Sequence, residues 1–468
     1  MSQLRVDLPG EPPEANKRLR RAAQRLTRPV EAFLAAETAG GVLLMLAAAI
    51  ALIWANSPWK ESYQHLWHTP LGFGAANHEL VKPLHFWIND GLMTIFFLLA
   101  GLEIKRELVQ GELSDLRRAA LPVLAAVGGM VVPALIFLAF NGGGAASDGW
   151  GVPMATDIAF AVGVLSLMGS RVPSSMRILL LALAIIDDLG AILIIALFYS
   201  SSIDPFGISI IVAGLMVMLL WVRFGVRPGL AYAVPLVILW SGLHIAGIHP
   251  TLAGVIVGLA TPVRPWLSRD QFAGVAEESL GKFKERTKGT FDPHEIVDPL
   301  RRLAVAGREA ISPVVRLETD LHPWVAYLIM PLFALANAGV DMGGVDISVP
   351  GATTVLLGVG LGLAIGKPLG VMLLTWIGVR LGWCTLPRGL SWSSILIVGV
   401  VAGIGFTMSI FIADLAYAAR PDFGDLSKLA ILAATAAAGV VGLGLGHFLL
   451  RPPENDVSPS HAEQSTEL

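Results

Sequence analysis

The sequence predicts an all-α membrane protein with twelve transmembrane helices, and three observations carry that prediction. Its 468 residues are 54% hydrophobic and only 15% charged, too few charges to cover a water-soluble globule. Those charges are bunched, and several uncharged runs reach the roughly 20 apolar residues that cross a bilayer as a helix. The runs are helix-length rather than alternating segments of about ten residues, which excludes a transmembrane β-barrel.

Apolar segments fall at 38–56, 86–103, 119–140, 152–168, 178–199, 206–222, 229–243, 250–262, 323–339, 353–377, 392–413 and 426–450. The ranges 152–168 and 250–262 are short, as broken or tilted helices would be. Residues 1–35 are polar and basic and read as a cytoplasmic segment without a cleavable signal peptide, because the first apolar run is long enough to stay as a helix. The transmembrane domain spans 36–450. Within it, 57–85 alternates around Pro70, Leu71, Gly72 and Gly74, a pattern for a hairpin on the periplasmic face. Residues 263–321 form a long charged cytoplasmic loop with amphipathic helix in it. The stretch 451–468 has almost no apolar residues and is expected to be a disordered cytoplasmic tail.

Charge sets the orientation. With the N-terminus inside, eighteen Lys and Arg face the cytoplasm, while Lys60, Lys82, Arg420 and Lys428 face outward; Lys367 lies within a span and ten more cations lie in the long loop. This bias predicts a multi-pass protein of a bacterial inner membrane with both termini cytoplasmic. A net charge of −3 gives no ground for a nucleic-acid partner, and the lone Cys384 rules out an internal disulfide or a thiolate cluster.

Four charged residues fall where a membrane protein can least tolerate them. Asp187 and Asp188 lie nine and ten residues into the span 178–199, about 14 Å deep and so near the midplane. One carboxylate there costs about 2.5–3.5 kcal/mol on insertion scales, and a neighbour adds repulsion. Adjacent helical side chains diverge by about 100°, so one aspartate can face a cavity and the other a neighbouring helix. Such a pair can alternate between a hard cation, which wants oxygen ligands, and protons. A pair satisfied by helix–helix hydrogen bonds is the plainer reading, but Asn or Ser would do that more cheaply. Asp157 follows Pro153 and Thr156 in a stretch that reads as a broken helix, where it serves as a buried cap, an ion ligand, or both. Lys367, in Gly366-Lys367-Pro368-Leu369-Gly370, is too deep to snorkel and needs a carboxylate, either Asp187 or Asp188. A further break is expected at Gly403-Ile404-Gly405. Spans 3–5 and spans 10–12 thus both carry an interrupted middle member and a buried charge. They start on opposite sides of the membrane, which predicts inverted repeats and a midplane site where two broken helices cross.

Taken together, the segments Ala155-Thr156-Asp157-Ile158-Ala159-Phe160-Ala161, Ile185-Ile186-Asp187-Asp188-Leu189-Gly190-Ala191, Gly366-Lys367-Pro368-Leu369-Gly370 and Gly403-Ile404-Gly405-Phe406-Thr407-Met408-Ser409 resemble the NhaA family of sodium/proton antiporters. The likeness runs from about residue 35 to 450, interrupted only in the long loop. It implies twelve helices with crossed, partly unwound fourth and eleventh members. It implies Asp188 as the main ligand of the transported Na+, with Asp187 pairing with Lys367 or joining the site, and Thr156 and Asp157 assisting. It also implies pH-regulated export of Na+ or Li+ against protons by alternating access, a homodimer held by the periplasmic hairpin, and no cofactor; two titrating carboxylates against one monovalent ion predict that the exchange is electrogenic.

The resemblance extends to regulation. Glu103, Arg106 and Glu107 match the cytoplasmic end of the family's second helix, and Arg316, Glu318 and His322 match the start of its ninth, together its pH-responsive region. On the residues alone, a solvated charged helix end reads equally well. Val315 and Thr319 depart from the family pattern, as does Asp414, which stands where a small polar residue is usual and for which the sequence offers no reason. His249 reads as structural. His294-Glu295-Ile296-Val297-Asp298 starts like a zinc-protease motif but ends in the wrong residue. A sodium-coupled anion symporter would need a second polar cluster that is absent, and an intramembrane aspartyl protease needs its two acids on separate helices.

Overall fold

The computed structural model describes residues 39–73, 80–144, 146–199, 204–226, 229–286, 293–387 and 389–450. The segments 1–35 and 451–468 lie outside the described residues. Helix α1 (Ala39–Ala55) turns by 114° into α2 (Lys60–His68). In α2, Tyr63 and Trp67 are buried one turn apart while Lys60 and Glu61 face water, so an amphipathic helix occupies part of the range read as a hairpin. The strands are shorter, β1 (Pro70–Phe73) pairing antiparallel with β2 (Leu80–Pro83). Helix α3 (Leu84–Gln110) follows, and then α4 (Leu116–Asn141), capped by Asp115, whose carboxylate accepts from the Arg117 amide at 2.8 Å.

The 152–168 span is broken. A 3-10 helix (Ser147–Met154) leads to an extended stretch at 155–157 and then to α5 (Ile158–Leu167). The next helices are α6 (Ser174–Phe198), α7 (Pro205–Arg223), α8 (Gly229–Ile245) and α9 (Leu252–Ala260). The long loop contains α10 (Arg269–Arg286) and α11 (Pro293–Glu309). It ends earlier than expected, because Ser312 caps α12 (Pro313–Trp324) and its hydroxyl lies 3.4 Å from the Val315 amide. Through a π turn, α12 continues into α13 (Met330–Asn337). The remaining helices are α14 (Ala352–Arg380), α15 (Trp392–Ala402), α16 (Phe406–Ala416) and α17 (Pro421–Leu449), with a 47° bend between α15 and α16.

Helical segments fall within each predicted apolar range. Among the described residues seven helices are long and apolar enough to cross a membrane, or nine when each bent pair counts as one span. The shortfall from twelve lies in short pieces such as α9, whose range 250–262 begins in turns. Packing decides which faces meet lipid. Only 17% of the apolar window of α7 is buried, so its side chains need hydrocarbon around them. By contrast α4 and α14 touch backbone to backbone: a Cβ on Gly128 would stand 2.0 Å from the Gly370 carbonyl oxygen, and one on Gly370 just as close to that of Gly128. Only glycine permits that approach, which brings Lys367 into the core.

Candidate functional site

Two breaks meet at the centre of the fold. The amide of Asp157, before α5, donates to the carbonyl of Ile404, between α15 and α16, at 2.8 Å. Each break frees helix-end groups that hydrocarbon cannot satisfy. Asp157 satisfies both: Oδ1 accepts from the Phe160 amide at 3.0 Å, and Oδ2 accepts from the Thr407 amide at 3.2 Å and its hydroxyl at 2.5 Å. One carboxylate therefore faces the positive ends of α5 and α16 together. In this geometry Asp157 caps both half-helices.

Thr156, the residue before it, places its hydroxyl 2.7 Å from Asp187 Oδ2 and 2.9 Å from the Ala402 carbonyl oxygen. Its single proton serves one of them at a time. Lys367 follows a π turn over Gly362–Gly366. Its Nζ lies 2.7 Å from Asp187 Oδ2 and also donates to the Met154 carbonyl of the 3-10 helix. The lysine thus takes Asp187, not Asp188, as its partner. Asp157, Thr156, Asp187, Asp188 and Lys367 are all buried.

Asp188 is left differently placed. Its Oδ1, like Asp187 Oδ1, is buried with no hydrogen-bond partner. An unsatisfied buried acceptor costs about 1–3 kcal/mol, more when charged. Two such oxygens, on adjacent residues of α6, can each accept a proton or a hard cation. Among the described residues no three His, Cys, Asp or Glu side chains converge as a metal-holding group. The oxygens gathered around Asp187 are its own carboxylate, the Thr156 hydroxyl and, through Thr156 and Lys367, the Ala402 and Met154 carbonyls.

The six residues expected to respond to pH divide. Arg106 on α3 pairs with Glu318 on α12 and lies 3.3 Å from Glu107 Oε1, while Glu107 Oε2 accepts from the Glu112 amide at 3.1 Å. Burial pushes the Glu318 carboxyl above its ordinary range and the Arg106 guanidinium pulls it back. Glu103 stands one turn before them, half-buried. Arg316 donates to the Arg308 carbonyl at 3.3 Å, and His322 is exposed. The departures are accommodated locally, Thr319 donating to the Val315 carbonyl at 2.7 Å.

Several polar contacts were not foreseen in the sequence. Thr407 stood in a quoted motif without a role; its position just past the break was the available signal. Asp90 lies 3.5 Å from His249 Nε2, whose Nδ1 lies 2.9 Å from Thr251 Oγ1. Asp414 gains a reason, since its Oδ1 is 2.6 Å from Lys428 Nζ on α17.

A family model described as Na+/H+ antiporter 1 matches residues 31–445. The chain belongs to the Na+/H+ antiporter 1 family. It is similar to the Na(+)/H(+) antiporter NhaA 2 of Sorangium cellulosum (strain So ce56), with 53% identity over 98% of this chain and 99% of that one. It is also similar to the Na(+)/H(+) antiporter NhaA 2 of Pseudomonas putida (strain ATCC 700007), at 51% identity over 93% and 96%, and to the Na(+)/H(+) antiporter NhaA of Bordetella petrii, at 50% over 92% of each. The resemblance to NhaA antiporters drawn from four short motifs thus holds along the chain. Na+/H+ antiporter 1 proteins are transporters rather than catalytic enzymes, and membership together with the apolar helices makes this a multi-pass membrane protein.

Proposed function

We propose that the chain exports Na+, and Li+ in its place, in exchange for protons by alternating access. The observation that carries this reading is the unpartnered oxygen of Asp188 beside the Lys367–Asp187 pair, buried where two broken helices cross. With the site open to the cytoplasm and its carboxylates deprotonated, Na+ binds Asp188, with Asp187, Thr156 and freed backbone carbonyls within reach. The bundle then rocks, the ion leaves outward, and protons from the other side replace it. Lys367 holds Asp187 while Asp188 is empty, and Asp157 keeps the two half-helices together. The cation drives the cycle through its different affinity for the two facing states. Two titrating carboxylates against one monovalent ion make net charge move, so export is electrogenic.

Twelve spans, inverted repeats over spans 3–5 and 10–12, and both termini in the cytoplasm of the inner membrane fit the charge bias and the paired breaks. The β1–β2 hairpin is then periplasmic and free to pair two copies into a homodimer. The Arg106–Glu107–Glu318 cluster, with Glu103, Arg316 and His322 around it, lies at the cytoplasmic end and tunes exchange with pH. No cofactor takes part.

The test is Na+-dependent collapse of a pH gradient in everted vesicles, comparing the native chain with Asp188→Asn from neutral to alkaline pH. Collapse that vanishes in the variant supports the reading. Collapse undiminished in the variant overturns it.

A further inference from the structure

The long loop between α9 and α12 has no part in the exchange mechanism, yet it builds a surface of its own. Its two helices enclose a groove of about 640 Å³. Lys282 and Arg286 project into it from the C-terminal part of α10, and Arg301 and Arg302 from α11, against the carboxylates of Asp298 and Glu309. Glu278 pairs with Lys282 and stands 3.8 Å from Arg302, so one carboxylate sets two cations side by side across the groove.

Trp266, at the base of the groove, fixes its level. Its ring packs over Gly225, where a Cβ would come within 3.1 Å of it, and Gly225 stands two residues beyond the last residue of α7, Arg223. The Trp266 and Leu267 amides donate to the Glu309 carbonyl at 3.0 and 3.1 Å, and the Val314 amide to the Pro262 carbonyl at 3.3 Å. Both ends of the α10–α11 hairpin are therefore tied where α7 leaves the apolar layer. Trp266 is 62% exposed there, and α11 exposes Val297, Leu300 and Val305 beside its arginines. An exposed tryptophan, an apolar helix stripe and a group of cations at one membrane edge form an interfacial element. The four Lys and Arg outnumber the three carboxylates of Glu278, Asp298 and Glu309 around them, and a positive excess next to a span attracts anionic lipid.

We propose that the α10–α11 groove holds the phosphate headgroup of an anionic phospholipid, with the acyl chains against the exposed stripe of α11. The inference takes from the proposed topology only that this edge is the cytoplasmic one. The full chain in detergent is offered phosphatidylglycerol or phosphatidylcholine, and the lipid retained is read by native mass spectrometry, a measurement independent of transport. Preferential retention of phosphatidylglycerol is expected, falling on the order of tenfold in Arg301→Gln/Arg302→Gln. Equal retention of the two lipids, or no loss in the variant, overturns the proposal, whereas failure of the exchange reading would leave this result standing. A second check that leaves both arginines in place covers an arginine variant that does not fold. Phosphatidylglycerol with brominated chains should quench the Trp266 emission, taken as the difference from Trp266→Phe, more than brominated phosphatidylcholine does. Equal quenching overturns the proposal, as does inorganic phosphate displacing the lipid completely, which would make the groove a soluble-anion site.

Discussion

Asp157 Oδ2 receives both the amide and the hydroxyl of Thr407, at 3.2 and 2.5 Å, from 250 residues further along the chain. Its other oxygen receives the Phe160 amide. Removing a helix cap costs about 0.5–2 kcal/mol, and Asp157→Ala removes two at once. Asp157→Asn keeps one acceptor oxygen. Thermal unfolding in detergent should therefore rank native above Asp157→Asn and that above Asp157→Ala; equal midpoints for the two variants would mean that the caps do not hold the crossing.

Asp188→Asn changes charge but hardly changes shape. Because Asp188 Oδ1 has no partner to lose, the variant should unfold within about 1 kcal/mol of the native chain while losing Na+-dependent proton movement. A large loss of stability would instead make Asp188 a structural residue.

The Lys367–Asp187 pair behaves differently. Taking away one member of a buried ion pair leaves an uncompensated charge and costs about 3–5 kcal/mol, whereas replacing both is often close to neutral. Lys367→Met should lower the unfolding midpoint strongly, and Lys367→Met/Asp187→Asn should recover most of that loss. No recovery in the double variant would show that Lys367 acts through the Met154 carbonyl instead.

Gly128→Ala and Gly370→Ala each drive a methyl into a carbonyl of the facing helix. Overpacking of this kind costs about 1–3 kcal/mol, and separating α4 from α14 should also weaken exchange. Gly444→Ala in α17, where a Cβ meets nothing within 4 Å, should be neutral or stabilising. Equal effects at all three positions would contradict the close approach.

Glu318 gives a signed pH effect. Its carboxyl is raised by burial, Arg106 offsetting part of that. A raised carboxyl favours the fold fully below its unfolded pKa, and that advantage is lost as pH rises through the folded value. The native chain should therefore lose stability relative to Glu318→Gln as the pH is raised from acid to neutral. A difference that is flat with pH, or that grows in the native chain's favour, would show the Arg106 contact outweighing burial.

Much of the site was legible because its signals are local. Two adjacent aspartates in an uncharged run, a lysine before Pro368, and glycines at 403 and 405 each violate what a membrane helix prefers, and such violations stand out without any structure. Thr407 and Asp90 were harder to see, since a threonine at a helix start or an aspartate near a span end breaks no rule by itself. The helix in the range 57–85 was missed because its two buried aromatics, Tyr63 and Trp67, show their purpose only when packed.

By itself the sequence determined that this chain is helical, lies in a membrane and carries carboxylates within long apolar runs, because hydropathy and the cost of charge in hydrocarbon are properties of each segment. The tertiary structure alone decided that Lys367 takes Asp187, that Asp157 joins the ends of α5 and α16, and that Asp414 is held by Lys428. Those choices depend on distances between segments far apart in the chain, which are set by how closely helices such as α4 and α14 can pack.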